Sequence, residues 1–273
     1  ADEGLFLYLS TRVNSTLDPE VHFGYIEAAA RSKSIPEVER MTRESTAYDA
    51  EKVRDLLMEL KLQDPRPLIN VCNAHNFVPE LVKYFREQNQ MKFIEQYALK
   101  VNVAAVPIVC GTLIDLQTNE DFIKNLILAG GNMIPAKSLM DEMHSRSKLK
   151  MIMPWLEARV NEGSTDSAVH TALAKIYVDS NQNPEQFLLT NQYYDSLDVG
   201  KHCESINPKL ALAAFEKGRC DDALVALTSA NSMFKEQAQY LVDRMDEDLW
   251  GRVLKEDTEQ RGNCLLYTSD AAD

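Results

Sequence analysis

The sequence predicts an all-α protein, an α-solenoid in which antiparallel helix hairpins stack one on the next. Three observations lead to this prediction. Apolar residues recur with helical periodicity, helix-start signals recur about every 15 residues, and no sustained alternation typical of strands occurs. Ten glycines and ten prolines in 273 residues are also few for a β-sandwich or barrel, which uses both in tight turns.

The apolar periodicity is clearest in four windows that match the i, i+3, i+4, i+7 template fully. Such spacing places apolar side chains along one side of a helix and charged ones on the other. The windows are Val53, Leu56, Leu57, Leu60; Val78, Leu81, Val82, Phe85; Ile94, Tyr97, Ala98, Val101; and Ala238, Leu241, Val242, Met245. Segment 165–179 carries a further stripe, formed by Ala168, Val169, Ala172, Leu173, Ile176 and Tyr177.

Helix starts are marked by an Asp or Asn followed by proline, because the side chain caps free N–H groups and proline lacks one. This pattern occurs at Asp18-Pro19, Asp64-Pro65, Asn183-Pro184 and Asn207-Pro208. Asp49, Asn119 and Asp195 are further predicted caps. Turns between helices are predicted at Asn89-Gln90, Gly130-Gly131 and Lys217-Gly218.

Predicted helix starts lie near residues 18, 35, 49, 64, 77, 90, 104 and 119. In pairs they give a helical hairpin about every 30 residues, a period typical of solenoids. A helix of two or three turns is marginal alone, so neighbouring hairpins must stack to bury their stripes. Successive hairpins share no alignable identity, and the consensus strings of tetratricopeptide and ankyrin repeats are missing.

Charge and cysteine content limit the function classes. The net charge of −13 disfavours binding to nucleic acid, because phosphate backbones repel an acidic chain. Cys72, Cys110, Cys203, Cys220 and Cys264 are odd in number and scattered, which indicates reduced thiols in a cytosolic protein. The longest uncharged apolar stretch, 103–114, is too short to span a bilayer.

Two sequence features could form metal or thiol sites. Cys72 and His75 have the spacing of half a zinc site, and His202-Cys203 could supply the other half. We favour a buried thiol and a helix-end histidine, since no second C-x-x-C or H-x-x-x-H is present. Cys110 stands among apolar residues without a cationic neighbour and is predicted to pack in the core.

The remaining polar clusters are given structural interpretations. Asp221-Asp222 and Asp246-Glu247-Asp248 are predicted to stabilise helix N-termini, although paired acids could also serve a glycosidase. The basic stretch 144–150 is predicted to be a solvated helix end, with an acidic partner surface as the alternative. Trp155 and Trp250 are predicted core residues. Asn14-Ser15-Thr16 fits a glycosylation acceptor, which a cytosolic chain would not use.

Long strings of the sequence resemble the clathrin heavy-chain family. They run in one order from about Leu5 to Leu254 and so form a specific match. The strings include DPEVHFGYIEAAA (18–30), EVERMTRES (37–45), YDAEKVRDLLMELKLQD (48–64), PLINVCNAHNFVPELVKY (67–84), EDFIKNLIL (120–128), PWLEARVNEG (154–163), ALAKIYVDSNQNPEQFL (172–188), NQYYDS (191–196) and RMDEDLW (244–250).

The resemblance implies a segment of the distal leg, built from repeats of about 145 residues with five hairpins each. On that basis residues 1–110 are the end of one repeat and 111–254 are most of the next. The pattern stops near Asp257, so we treat 255–273 as a truncated end with a non-native tail. Residues 263–273 resemble a translated cloning or sequencing adapter. Ala1 stands first in place of Met, and we expect an internal piece of a longer chain.

The function that the resemblance implies is structural. It is a scaffold of the clathrin lattice in vesicle transport and endocytosis, on the cytoplasmic face of coated pits and vesicles and peripheral to the membrane. The implied partners are other heavy chains, with light chains and adaptors bound through parts absent here. No catalytic residue, cofactor or metal is predicted. The alternatives are a peptide-binding α-solenoid adaptor of the vacuolar sorting type and an all-α enzyme, neither of which has the groove or converging polar groups it would need.

Overall fold

The structure, a computed structural model, describes residues 2–253, apart from the side chains of residues 2, 3 and 252. Within this range every regular element is a helix and no strand is present, so the all-α prediction is confirmed. The chain divides into two compact units, residues 1–146 and a second unit that begins at Ser147. The tail 255–273, including Cys264, lies outside the described residues.

The first unit contains ten α-helices. They are α1 (Asp2–Arg12), α2 (Pro19–Arg31), α3 (Ile35–Glu44), α4 (Ala50–Leu60), α5 (Arg66–Ala74), α6 (Val78–Glu87), α7 (Met91–Gln96), α8 (Val106–Asp115), α9 (Glu120–Gly130) and α10 (Ala136–Ser145). Short 3₁₀ turns cover Val13–Ser15, Val103–Ala105 and Gly131–Met133, and a π-turn covers Tyr97–Val101. The eight predicted helix starts agree with these bounds to within about two residues.

The second unit, as far as it is described, contains eight α-helices after a 3₁₀ turn at Leu149–Ile152. They are α11 (Met153–Asn161), α12 (Ser167–Ser180), α13 (Pro184–Thr190), α14 (Ser196–Glu204), α15 (Pro208–Gly218), α16 (Asp221–Ala230), α17 (Phe234–Arg244) and α18 (Glu247–Val253).

Helix packing in each unit follows the pattern of a solenoid. Most helices contact the next helix along the chain, and helices two positions apart also pack together. In the first unit α2 packs on α4, α3 on α5, α6 on α8 and α8 on α10, and in the second unit α12 packs on α14 and α13 on α15. The core of each unit is therefore a strip built up hairpin by hairpin, as the sequence predicts.

Most of the predicted stripes are buried. Every member of the 78–85 stripe is at most 4% exposed, and Leu57 is 2% exposed. Two stripe positions were predicted wrongly. Val101 is 53% exposed, because the π-turn that follows α7 adds a residue to the turn and shifts the register. Met245 is 85% exposed, because α17 ends at Arg244 and Met245 adopts a left-handed backbone with φ of 50°.

The predicted helix caps are mostly confirmed. Carboxylate or amide oxygens of five of them accept N–H groups of the first turn: Asp18, Asp49, Asn119, Asp195 and Asn207. Two predicted caps were wrong. Asn183 has φ of 47° and makes no cap bond. Asp64 lies one residue before the Pro65 N-cap, although its carboxylate still accepts the N–H of Arg66 at 3.0 Å.

The predicted turns hold at two of three places. Asn89 has a left-handed φ of 56° and Gly131 a φ of 50°. Lys217 and Gly218 instead belong to the end of α15, and the left-handed residue is Arg219. Within residues 2–253 no single helix is long and apolar enough to cross a membrane. One bent pair, Met91–Val101 with Val103–Asp115 at 118°, meets the criteria of length and composition when the two helices are taken together.

Candidate functional site

The first candidate site, the pair Cys72 and His75, lies at the end of α5. Burial raises the pKa of the Cys72 thiol to about 12, so it is not a thiolate at neutral pH. The His75 ring lies between Tyr48 and Phe77, at centroid distances of 5.7 and 6.2 Å. Its buried Nε2 has no hydrogen-bond partner. The pair therefore packs as a buried thiol and a helix-end histidine, as we favoured.

His202 and Cys203, the second half of the hypothetical zinc site, have other surroundings. Nε2 of His202 lies 2.7 Å from the carboxylate of Asp179, and Cys203 is fully buried with its thiol pKa raised to about 11 by burial. Cys72 and His75 belong to the first unit, whereas His202 and Cys203 belong to the second. Among residues 2–253 no group of three or more His, Cys, Asp or Glu side chains is placed to hold a metal ion.

Cys110 is fully buried in α8, and burial raises the pKa of its thiol to about 12. Core packing was the prediction for this residue, and it is confirmed. Trp155 is likewise buried at 2% exposure, whereas Trp250 is half-buried against the core of the second unit. Asn14 is exposed in the turn that follows α1.

The acidic runs lie at helix N-termini, as predicted. Asp246 accepts the N–H groups of Asp248 and Leu249 at 3.0 and 3.1 Å and so caps α18. Asp221, in the first turn of α16, has an additional role that sequence reasoning missed. Its carboxylate accepts the Tyr240 hydroxyl at 2.6 Å and the Arg244 guanidinium at 2.9 Å. Asp221 therefore ties α16 to α17.

The basic stretch 144–150 is partly used inside the protein. Arg146 pairs with Asp115 at 2.8 Å and also with Glu142, so it joins the end of α10 to the end of α8. Lys150 lies 3.5 Å from the backbone carbonyl of Asp179. Because α10 ends at Ser145, the stretch covers the end of this helix, in agreement with the predicted helix end.

Two adjoining open clefts, of about 390 and 350 Å³, lie where α12 meets α13 in the second unit. They share Asn183 and Gln186. Their other lining residues include the amides Asn181, Gln182 and Asn207, the carboxylates Glu157 and Glu185, and the rings of Tyr177 and Phe187. The Glu157 carboxylate in the cleft accepts the Tyr177 hydroxyl at 2.8 Å. A ligand pocket usually combines apolar walls with a few polar groups, so these open and largely polar clefts indicate no reaction.

The polar groups that the helices do bring together form a network that occurs once in each unit. In the first unit, the buried His22 ring has Nε2 2.8 Å from the Thr16 carbonyl and Nδ1 2.9 Å from Ser45 Oγ. In the second unit, the same ring atoms of His170 lie 2.7 Å from the Ser164 carbonyl and 2.7 Å from Asn191 Nδ2.

Tyrosines extend this correspondence between the two units. The Tyr48 hydroxyl donates to the Thr42 carbonyl at 3.3 Å, and the Tyr194 hydroxyl donates to the Leu188 carbonyl at 3.0 Å. Each tyrosine precedes the aspartate that caps the next helix, Asp49 or Asp195. Matching features therefore recur about 145 positions apart, close to the repeat length that the resemblance implies.

Sequence reasoning missed this recurrence because it compared neighbouring hairpins. A signal was present at the longer spacing: the string D-x-x-V-H occurs at 18–22 and again at 166–170, and a Tyr-Asp pair follows each. The repeating side chains fix loops to helices and helices to each other. Their arrangement suits a stack of hairpins that keeps its geometry.

Comparison with known proteins agrees with this architecture. The family model described as "Clathrin: Region in Clathrin and VPS" matches residues 1–121 and 128–263. The chain belongs to this clathrin family. The sequence pattern was predicted to stop near Asp257, but the clathrin match extends to residue 263.

Individual clathrin relatives are similar over nearly the whole chain. The chain is 51% identical to a clathrin heavy chain of Dictyostelium discoideum over 263 residues, which is 96% of this chain and 16% of the relative. It is 51% identical to clathrin heavy chain 1 of Arabidopsis thaliana and 46% identical to clathrin heavy chain 2 of Homo sapiens, again over 96% of this chain and 15% and 16% of those relatives. The chain thus spans about one sixth of the length of these clathrin heavy chains.

Proposed function

We propose that the chain is a structural segment of a clathrin heavy chain, acting as part of the scaffold of a clathrin coat in vesicle-mediated transport and endocytosis. The observation that carries this proposal is the similarity to a clathrin heavy chain, 51% identity over 263 residues. The fold supports it, because stacked hairpins joined by polar contacts between helices suit a structural scaffold.

The proposal assigns residues 1–110 to the end of one heavy-chain repeat and 111–254 to most of the next. The recurrence of the His22 and His170 networks supports a repeat of about 145 residues, whichever point is chosen as its start. Residues 255–273, in this assignment, are a truncated end with a non-native tail.

The proposed partners are other clathrin heavy chains, through contacts between legs in the lattice. Light chains and adaptors would bind parts of a full-length heavy chain outside these residues. The proposed location is the cytoplasmic face of coated pits and vesicles, peripheral to the membrane. A net charge of −13 supports the expectation that nucleic acid is not a partner. The proposed role requires neither catalysis nor a cofactor.

A binding experiment with the purified chain separates the scaffold from an adaptor role. A scaffold segment makes weak contacts that gain strength only from the multivalency of whole assembled molecules. We therefore expect no clone of a random linear peptide library to bind the chain with micromolar affinity. An adaptor, in contrast, binds its peptide in its own groove and needs no multivalency. Micromolar capture of a defined peptide, abolished by substitution of Gln186 in the cleft, would overturn the scaffold proposal.

A further inference from the structure

The ring of His170, on the first turns of α12, holds the loop 191–195 that joins α13 to α14. His170 is 1% exposed. Its Nε2 lies 2.7 Å from the backbone carbonyl of Ser164, and because a carbonyl only accepts, Nε2 carries the proton. Nδ1 of the neutral ring is then an acceptor. It receives a hydrogen bond from Nδ2 of Asn191, 2.7 Å away.

The orientation of the Asn191 amide is fixed independently of the histidine. Its Oδ1 accepts the backbone N–H of Tyr193 at 2.9 Å, so Nδ2 must face the ring. A protonated ring would place an N–H group against this NH₂ group, and neither can accept. Turning the amide would instead lose the bond from Tyr193. The contact between His170 and Asn191 therefore exists only while the ring is neutral.

The other charged and titratable groups that the structure describes around this contact make no hydrogen bond to the His170 ring. Lys217 of α15 donates to the carbonyls of Leu189 and Asn191, which puts a cation on the same loop. The Tyr193 ring lies 5.0 Å from that of His170, and the Asp166 and Asp195 carboxylates accept N–H groups as helix caps.

Groups on the remaining elements packed against α12 have partners elsewhere. Those partnerships are Glu157 with Tyr177, Lys175 with Asp198, Asp179 with His202, Lys150 with the Asp179 carbonyl, and Arg159 over the Trp155 ring; Glu185 of α13 is exposed.

His22 of the first unit provides a comparison for His170. Nδ1 of His22 lies 2.9 Å from Ser45 Oγ, and a hydroxyl can either donate or accept. Protonation of His22 therefore requires only that the hydroxyl of Ser45 rotate. The same histidine position tolerates a proton in the first unit and does not tolerate one in the second.

We propose that His170 and Asn191 form an acid-sensitive latch, which holds the loop 191–195 between α13 and α14 while the ring is neutral and releases it when the ring is protonated. The corresponding contact of His22 and Ser45 is not a latch. Mild acidification would thus loosen one joint of the second unit and leave its counterpart in the first unit closed. The proposal does not depend on the coat function.

Hydrogen exchange of the whole chain tests the latch, with rates corrected for the intrinsic effect of pH. Between about pH 7.5 and about pH 5.5, we expect protection of the amides of Tyr193 and Asp195 to fall at least about fivefold. Protection of the loop 45–49 should change less than about twofold. Ring ¹⁵N shifts of His170 show which form of the ring is present at each pH, and the loss of protection should follow the protonated form.

The variant Asn191→Asp provides the second measurement. Its carboxylate can accept from a protonated ring, so acidification should no longer reduce protection of the loop. Three results would overturn the proposal: loss of protection in Asn191→Asp equal to that of the parent chain, equal loss at 45–49, or a His170 ring that stays neutral at about pH 5.5 with full protection.

Discussion

Gly200 on α14 faces the ring of Phe215 on α15 so closely that no side chain fits between them. A Cβ atom built on Gly200 would lie less than 3.0 Å from three ring carbons of Phe215, which is itself fully buried. The absence of a side chain at this one position lets these two consecutive helices approach each other. Since α14 and α15 share a long contact, the position controls how they stack.

Gly200→Ala should therefore lower the free energy of unfolding by about 3 kcal/mol, because the ring or the helix must move to admit a methyl group. The matched control is Gly251→Ala, where a Cβ meets no atom within 4 Å and α18 gains a better helix former. Chemical denaturation of both variants measures the difference. Equal stabilities would show that α14 and α15 do not pack as described.

Leu57→Asp should be severely destabilising and Glu59→Ala mild, although the two residues are neighbours on α4. Leu57 is 2% exposed, and an unpaired carboxylate in its place costs several kcal/mol, on the order of 3–5. Glu59 is exposed. Thermal unfolding of the two variants is the measurement, and similar shifts in Tm would contradict the helix register.

Asp64 should contribute a small, acid-sensitive part of the stability. The Arg66 guanidinium, which donates to its carboxylate, holds the pKa of Asp64 below its ordinary value of 3.8. A lowered pKa in the folded chain means that the contribution is present above the ordinary pKa and lost as the pH falls through the folded pKa.

Asp64→Asn should accordingly make unfolding less pH-dependent below about pH 4, by no more than about 1 kcal/mol for such an exposed ion pair. Glu59→Gln, which removes an exposed carboxylate of α4, serves as the control. Denaturation curves across this range test the effect. An unchanged pH dependence in Asp64→Asn would show that its ion pair with Arg66 does not form.

The buried cysteines should resist alkylation in the folded chain. Burial raises the pKa of the Cys72 and Cys110 thiols to about 12, so almost no thiolate exists near neutral pH. Cys220 is only half-buried and should react first of the four described cysteines. Mass spectrometry of peptides after iodoacetamide treatment reads each site separately. Rapid labelling of Cys72 without denaturant would contradict the packing of α5.

The sequence predicts the helices well and their mutual contacts poorly. Stripes such as 78–85 and caps such as Asp49 depend on local spacing, so they are visible in the chain itself. The exposure of Val101 depends on a π-turn, which no local sequence pattern predicts. The bonds from Tyr240 and Arg244 to Asp221 join residues about 20 positions apart, and only the packing of α16 on α17 brings them together.

The function could be inferred only through resemblance. Composition and motifs exclude some classes of function, but an acidic α-solenoid is compatible with many roles. The long collinear strings supply the specific inference, and the comparisons bear out the family. The recurrence at His22 and His170 was present in the sequence as D-x-x-V-H, yet its meaning emerged from the bond that both rings share, from Nε2 to the backbone carbonyl six residues earlier.

Assembly of a chimeric heavy chain tests the central claim most directly. In the Dictyostelium clathrin heavy chain, the segment that aligns with residues 1–254 is replaced by those residues of this chain, and purified molecules are examined for cages by electron microscopy. If the segment is a scaffold, the chimera should form closed cages within about twofold of the parent yield. The same chimera carrying Leu57→Asp should not. A folded, soluble chimera that forms no cages would contradict the account.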